Sequence, residues 1–229
     1  MIFQKYDTAL YEFGALEGAM RQLDMMYEIN DYLRNHPNAS IVCLGCGLDL
    51  DARRCGNQQN KIFNVDFPDV IAMREELAGT NPRETNIVSD LTNLSWMDQV
   101  DARNGAVFYA AGVFHYLKKE DVKVIVLKMT ELFPGCRLVF DTVGTLGYKL
   151  MMKAILKKHG MNDFGNLFYT NNAVKDLSSW SDKISVSSKG YMLGYCDMKL
   201  PSIKGIHRLL ANMGDNIMHM QIVKIELLY

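Results

Sequence analysis

The sequence lacks the features of a secreted or membrane-spanning protein. Its first ten residues, MIFQKYDTAL, contain no apolar run of the kind found in signal peptides. The longest apolar stretch, about residues 106–114, is far shorter than the roughly 20 residues that a bilayer-spanning helix needs. We therefore expect a cytoplasmic protein that does not bind a membrane.

An excess of charge and a cysteine framework are also missing. The 25 Lys and Arg residues nearly balance the 26 Asp and Glu residues, which argues against a protein built to bind nucleic acid. The five cysteines are an odd number with no short secreted framework, which favours a reducing compartment. Cys43 and Cys46 have C-x-x-C spacing, but no second pair follows, so we predict no metal site.

What is present is an alternation of strand and helix patterns. The chain has 229 residues, 48% of them hydrophobic, enough for one domain with a full core. Unbroken apolar runs predict strands at about 40–44, 61–65, 86–88, 105–110, 136–141, 183–187 and 218–228. Three-to-four spacing predicts helices at about 10–34, 69–78, 119–132, 146–159 and 202–212. This order is typical of a three-layer α/β/α, Rossmann-like fold with a mostly parallel sheet and an antiparallel last strand.

Two regions lie outside that alternation. Residues from about 1 to 37 are predicted to form an N-terminal helical cover, and residues from about 145 to 181 a helical insert over the strand ends. No stretch has the composition of a flexible linker. We therefore expect residues 1–229 to form a single domain.

A glycine-containing turn follows the first strand. Gly45 and Gly47 stand in the segment Ile-Val-Cys-Leu-Gly-Cys-Gly-Leu-Asp, directly after an apolar run. Glycine permits a positive φ and a close approach of ligand to backbone, and nucleotides bind at this edge of parallel sheets. A pyrophosphate-binding loop would need a third small residue, but the sequence has Leu50 there.

Carboxylates stand at the ends of the next two strands. Asp66 follows Gly47 by 19 residues, the spacing at which a carboxylate accepts hydrogen bonds from both ribose hydroxyls. Asp90 could accept from an adenine amino group, with Leu91 against the ring. Each alone is also a common turn or helix-capping residue. The glycine turn and these two carboxylates together predict an adenosyl ligand. Because a pyrophosphate site is missing, the predicted ligand is one without phosphates, S-adenosylmethionine.

The same motifs resemble those of a known family. The glycine segment, the following Asp-Ala-Arg-Arg and the segment Val-Asp-Phe-Pro-Asp-Val-Ile are similar to the leucine carboxyl methyltransferase family, which includes O-methyltransferases of polyketide synthesis. Ser-Asp-Leu at 89–91 and Gly-Val-Phe-His-Tyr-Leu at 112–117 continue the resemblance. It covers about residues 14–141 and implies a Rossmann-like methyltransferase fold.

The resemblance also implies a set of cofactor-binding residues. Arg21 would pair with the carboxylate of the cofactor, while the glycines would line its methionine and ribose part. The full set implied is Arg21, Gly45, Cys46, Gly47, Asp66, Phe67, Asp90, Leu91, Ala110 and Ala111. The sequence departs from the family at Ala111, where the family often has glutamate, so any contact of that glutamate is absent.

The methyl acceptor is predicted to be an oxygen of a small molecule. His115 follows the fourth strand, where it could act as a general base for a hydroxyl acceptor. A carboxylate acceptor is already ionised and needs no base. The second chemistry is slightly favoured because no carboxylate that could orient His115 is apparent nearby in the sequence. Tyr116, Phe168 and Tyr169 are candidate substrate contacts, although aromatic residues of an insert more often serve packing.

Three alternatives stay open. A protein methyltransferase acting on a C-terminal carboxylate would need a pocket fitted to a peptide end, and the insert is short for that. A non-catalytic adenosyl-binding protein would keep the motifs without turnover. A nicotinamide-dependent dehydrogenase is disfavoured by the absent third glycine.

Overall fold

The structure is a computed structural model that describes residues 8–159, 167–196, 198–199, 201 and 203–229. Its helices are α1 Thr8–Asn35, α2 Pro68–Ala78, α3 Lys119–Leu132, α4 Thr145–His159, α5 Ala173–Ser178 and α6 Gly205–Asn216. Its strands are β1 Ser40–Leu44, β2 Ile62–Asp66, β3 Glu84–Val88, β4 Ala106–Ala110, β5 Arg137–Thr142, β6 Ile184–Gly190 and β7 Gln221–Leu227.

The strands form one sheet in the order β3-β2-β1-β4-β5-β7-β6. Strands β1 to β5 are parallel, whereas β7 runs antiparallel to both of its neighbours. The predicted mostly parallel sheet with an antiparallel last strand is confirmed. The strand order reverses between β1 and β4, and this reversal opens a crevice at their carboxyl ends.

Helices cover both faces of the sheet, which confirms the three-layer architecture. All residues of β1 are buried, as expected for a strand covered on both sides. Its Val42 and Leu44 pack in the same cluster as the inward side of α3. Ile41 and Cys43 point to the other face and pack with residues of α1, α2 and α6.

Some local structure was not predicted. Three short 3-10 turns occur at Asp51–Arg54, Leu94–Gln99 and Phe114–Tyr116. The Asn93 side chain caps the second of them by accepting from the Ser95 N–H, and apolar spacing does not reveal such short turns. Helix α6 begins three residues later than predicted and ends four residues later.

Three helices fall in the two regions that lie outside the predicted alternation. Helix α1 lies in the region predicted to be an N-terminal cover, and α4 and α5 lie in the region predicted to be an insert. Residues 1–7 and 160–166 lie outside the described residues. The end of the insert is tied to the body of the protein because the Phe168 N–H donates to the Leu117 carbonyl at 2.8 Å. Within the described ranges, no helix is both long and apolar enough to cross a membrane.

Helix α1 carries a buried carboxylate. Asp24 is only 5% exposed, and one of its oxygens has no hydrogen-bond partner. Burial raises the pKa of Asp24 to about 7, and the nearby negative charges of Asp215 and Glu28 add to the shift, while Lys189 opposes it. Ionisation of Asp24 therefore opposes folding.

We expect Asp24→Asn to stabilise the protein at alkaline pH. The pKa of Asp24 is higher in the folded state than in the unfolded state. The free energy of unfolding is therefore undiminished below pH ~4, where Asp24 is protonated in both states, and it falls as the pH rises to about 7. The variant should gain about 1–3 kcal/mol over the wild type between pH 4.5 and 8. Urea unfolding at both pH values measures the gain. Asp182→Asn, at an exposed position, is the control, and a pH-independent gain would contradict the assignment.

Candidate functional site

A cavity of about 280 Å³ opens at the carboxyl ends of β1 to β4. Its walls are apolar in the middle and polar at the rim. It is lined by Gly45, Asp66, Phe67, Ser89, Asp90, Leu91, Gly112, Val113, Tyr116 and Leu117. The fold thus brings together five of the residues predicted to bind a cofactor, together with Tyr116. This is the crevice that the reversal of strand order creates.

The glycines after β1 serve two different purposes. Both have positive φ, +65° at Gly45 and +48° at Gly47. A Cβ atom at Gly45 would lie 2.7 Å from Val113 Cγ2, so Gly45 is required for packing. A Cβ atom at Gly47 would meet no atom within 4 Å, so this part of the loop borders open space.

Asp66 connects the end of β2 to that loop. Its Oδ2 accepts from the Gly47 N–H at 2.8 Å, and its Oδ1 accepts from the Phe67 N–H at 2.8 Å. The carboxylate is thereby fixed at the edge of the cavity. The neighbouring Phe67 is 51% exposed, so its ring has an open face that a ligand in the cavity could contact.

A buried arginine, which the sequence analysis missed, holds the other side of the loop. Arg74 of α2 donates from Nη1 to the Gly47 carbonyl at 3.1 Å and to the Asp49 carbonyl at 2.6 Å. Asp49 in turn accepts from the Tyr109 hydroxyl at 3.2 Å. Arg74 lies three residues after the buried Ile71, so helical spacing was the available signal for its inward position.

Asp90 and Leu91 form the far wall. Asp90 Oδ1 accepts from both the N–H and the hydroxyl of Thr92 at 2.8 Å, which orients an otherwise exposed carboxylate. Leu91 is buried, and its carbonyl accepts from Trp96 Nε1 at 3.1 Å. An acceptor carboxylate therefore stands next to an apolar wall.

A charged cluster closes the end of the cavity beside Gly112. Asp141, at the end of β5, has a side chain only 2% exposed. Its Oδ1 accepts from the Gly112 N–H at 2.6 Å, and its Oδ2 lies 3.4 Å from Arg21 Nη1 and 3.9 Å from His115 Nε2. Asp141 was not among the predicted residues, although it stands at the end of the strand predicted at about 136–141.

The sequence shows no carboxylate close to His115 along the chain, but the fold brings one to it from another strand. The sequence neighbours of His115 are uncharged on its N-terminal side, but the sheet places Asp141 beside the ring. Burial lowers the pKa of His115, and the Asp141 carboxylate only partly offsets this, while Arg21 adds to it. The imidazole is thus neutral near pH 7, and its buried Nδ1 has no hydrogen-bond partner.

The other predicted residues lie away from the cavity wall. Cys46 is buried, and burial raises the pKa of its thiol to about 12. Ala110 is fully buried in β4, and Ala111 is half-buried. Phe168 is buried in the core against Phe140, with ring centroids 6.0 Å apart, so packing explains its position.

Tyr169 lies on a different surface. It stacks on Tyr148 of α4 with ring centroids 4.6 Å apart. It also lines a separate groove of about 580 Å³ beside α5. The structure therefore brings Tyr116, but neither Phe168 nor Tyr169, to the cavity at the strand ends.

Solved structures, methyltransferases among them, share the fold. The plantazolicin methyltransferase BamL, in complex with a substrate analogue and SAH, superposes with a TM-score of 0.62 at 12% identity, over 98% of this chain and 91% of that one. A DUF574 family protein from Streptomyces avermitilis has a TM-score of 0.61 at 12% identity, over 97% and 92%. Human N-acetylserotonin methyltransferase, in complex with SAM, has a TM-score of 0.56 at 11% identity, over 100% and 61%. The chain thus has the Rossmann-like methyltransferase fold.

A sequence comparison matches part of the chain to a family model. Residues 28–130 match the model of the leucine carboxyl methyltransferase family, which confirms the resemblance seen in the motifs. A curated relative is the tetracenomycin polyketide synthesis O-methyltransferase TcmP of Streptomyces glaucescens, 28% identical over 142 residues. The match covers 62% of this chain, and the chain spans about half (52%) of the relative's length.

The two glycines of the loop are expected to differ in their tolerance of alanine. Gly45→Ala combines positive φ with a clash against Val113 and should destabilise the protein by about 2–4 kcal/mol. Gly47→Ala creates no clash, so it should destabilise the protein only by the cost of a positive φ at alanine, about 1 kcal/mol. Chemical denaturation of both variants tests this. In a double-mutant cycle, Val113→Ala should offset part of the cost of Gly45→Ala, and strict additivity would contradict the clash.

Proposed function

We propose that the protein is an S-adenosylmethionine-dependent methyltransferase that methylates an oxygen atom of a small molecule. The observation that carries the proposal is the cavity itself. Asp66, Asp90 and the glycine loop meet at the crevice of a methyltransferase fold, and Arg21 lies beside Gly112, which also lines the cavity. The family match and the O-methyltransferase activity named for the Streptomyces relative support the same class of reaction.

The residues present fit this cofactor. The apolar wall formed by Leu91, Val113 and Leu117 suits an adenine ring, and Asp66 is placed for ribose hydroxyls. Arg21 is a cation for the carboxylate of the methionine part, and its buried Nε has no hydrogen-bond partner among the described residues. The loop has Leu50 where a pyrophosphate site would have a small residue, so a dinucleotide fits less well.

The chain's own residues would act mainly by positioning and by exclusion of water. S-adenosylmethionine supplies an electrophilic methyl group for in-line displacement by an acceptor oxygen. Asp66 and the fixed glycine loop hold one end of the cavity rigid, and Arg21 holds the other. Alignment of this kind can contribute several kcal/mol to the rate enhancement. Phe67 and Tyr116, both about half exposed, are placed to cover bound ligands.

The acceptor end contains one candidate base. His115 is neutral near pH 7, as a general base must be, and Asp141 lies beside Nε2. The His115 side chain is buried, and the cavity is lined by the neighbouring Tyr116 rather than by His115. A hydroxyl acceptor would need contact with the imidazole, whereas a carboxylate acceptor would not. We keep His115 as the proposed base for a hydroxyl acceptor.

Asp66→Ala is expected to weaken S-adenosylmethionine binding by about 1–3 kcal/mol, because it removes charge-assisted hydrogen bonds. Isothermal titration calorimetry of the wild type and the variant measures the loss. Asp69→Asn is the matched control, since Asp69 is an exposed carboxylate only three residues away. Equal affinities of the wild type and a folded Asp66→Ala variant would remove Asp66 from the site.

His115→Ala is expected to separate the two acceptor chemistries. With a hydroxyl acceptor, single-turnover methyl transfer should slow by about 10²–10⁴-fold while cofactor affinity stays unchanged. With a carboxylate acceptor, most of the rate should remain. The wild-type rate on a hydroxyl acceptor should fall as the pH drops below ~6.5, where the lowered pKa of His115 lies. A flat profile across that range would exclude His115 as the base.

The same assay tests the proposed reaction class. The panel should include phenols, small carboxylic acids and a peptide with a free C-terminal carboxylate, each with radiolabelled S-adenosylmethionine. Transfer to a small molecule supports the proposal, and transfer to the peptide alone would indicate a protein methyltransferase. Cofactor binding without transfer to any acceptor would indicate an adenosyl-binding protein without catalysis.

A further inference from the structure

A second groove lies at the same edge of the sheet as the cavity, over the end of β6 and the start of β7. Strand β6 runs antiparallel to β7, as β5 does, so its carboxyl end lies on the side where β1 to β5 end. The groove has a volume of about 550 Å³, within the range of small-molecule sites. It shares no lining residue with the cavity, so it is a separate place on the molecule.

The wall of this groove is polar. Among the described residues that line it, only Leu193 has an apolar side chain. Most small-molecule pockets are lined predominantly by apolar and aromatic side chains, with a few polar groups that fix orientation. A wall with the opposite balance suits a ligand that forms hydrogen bonds over most of its surface.

The two charged side chains in this wall are engaged within the protein. Asp215 Oδ1 accepts from the Met192 N–H at 3.0 Å, and its Oδ2 accepts from the Leu193 N–H at 2.7 Å. Lys189 Nζ lies 4.7 Å from the centroid of the Tyr195 ring, within the range of a cation–π contact. An ionic ligand would therefore find no free opposite charge in the groove.

Several other polar side chains of the wall have unused hydrogen-bonding groups. Within the described part of the chain, the side chains of Ser188, Asn216 and His219 form no hydrogen bond. Gln221 donates from Nε2 to the His219 carbonyl at 3.2 Å, which leaves its Oε1 as an acceptor. Hydroxyl, amide and imidazole groups each supply donors as well as acceptors. Such a set matches a polyol, in which every hydroxyl group also donates and accepts.

His219 has a backbone conformation that favours glycine. Its φ is +51°, and among the residues that the structure describes it is the one non-glycine residue with a positive φ. The backbone is fixed on both sides, since the Met218 carbonyl accepts from the Gly144 N–H at 2.7 Å and the Met220 N–H donates to the Gly214 carbonyl at 3.0 Å. Glycine or asparagine is the usual residue at left-handed positions that follow a helix. The histidine side chain is thus present despite a conformational cost, as is common for residues of binding sites.

Gly144, which follows β5, leaves room for the His219 ring. A Cβ atom at Gly144 would lie 2.9 Å from His219 Cδ2 and 3.0 Å from His219 Cβ. The histidine is half-buried, and it borders the groove. The ring is therefore held in place at the groove while its nitrogens keep their capacity to bind a ligand.

We propose that this groove binds an uncharged, hydroxyl-rich group such as the sugar ring of a glycoside. His219 and Asn216 would be its principal contacts, and Ser188 and Oε1 of Gln221 would exchange further hydrogen bonds with the ring hydroxyls. The proposal concerns binding alone and does not rest on the proposed function, so the two can fail separately.

The test compares three probes of the same ring size in protein-observed NMR titrations. Methyl β-D-glucopyranoside is the neutral polyol, methyl β-D-glucuronide adds a carboxylate, and cyclohexanol has a single hydroxyl. We expect the glucoside to shift the signals of residues that line the groove, with a Kd of about 1–10 mM. The other two probes should bind at least about fivefold more weakly, since one brings an unpaired charge and the other lacks most of the hydrogen bonds.

Two variants test the contacts. His219→Gly removes the ring and also relieves the positive φ, so it should fold at least as stably as the wild type and bind the glucoside about 5- to 10-fold more weakly. Asn216→Ala should weaken binding about 3- to 10-fold. Asn212→Ala is the matched control, because Asn212 is an exposed amide one helical turn earlier on α6 that does not line the groove, and its affinity should stay within about twofold.

Four results would overturn the proposal. They are no binding of the glucoside by the wild type, shifts confined to residues outside the groove, equal or tighter binding of the glucuronide or cyclohexanol, and an unchanged affinity of the stable His219→Gly variant. None of them bears on S-adenosylmethionine binding, which the Asp66→Ala titration measures in the other cavity.

Discussion

In the turn that follows β1, both the N–H and the carbonyl of Gly47 form hydrogen bonds to charged side chains of two other elements. Asp66 accepts from the Gly47 N–H, and Arg74 donates to the Gly47 carbonyl. Hydrogen bonds to charged groups contribute about 1.5–3 kcal/mol each. Because Gly45 and Gly47 adopt positive φ, the loop needs such restraints to hold a single conformation. Gly45 of this turn and Asp66 both line the cavity, so the restraints on the turn also fix part of the cavity wall.

A second set of polar contacts positions the N-terminal helix over the other end. Arg137 of β5 binds Asp31 at 2.8 Å, and the Tyr32 hydroxyl donates to the Gly135 carbonyl at 2.9 Å. These contacts fix α1 against the central strands. Arg21 is carried on the same helix, about three turns earlier, and reaches Asp141 at the end of β5. Its position is thus set by pairings across more than 100 residues of sequence.

Much of the fold could be predicted because its elements have strong local signals. The bounds of β1 and α3 agree with the expected residues, since an unbroken apolar run and a clear helical face leave little ambiguity. Asp66 and Asp90 were found through their places at predicted strand ends, and both line the cavity. The 3-10 turns were missed because elements of three to six residues are too short to show an apolar periodicity.

The sequence by itself determined the order of strands and helices, the glycine turn and the two carboxylates that follow it, because periodicity and spacing are local properties of the chain. Only the tertiary structure decided which side chains meet. It buried Phe168 in the core, turned Arg74 inward onto the loop, and placed Asp141 between Arg21 and His115. The physical reason is that a parallel sheet aligns the ends of strands far apart in sequence, and no local pattern records which neighbours that alignment creates.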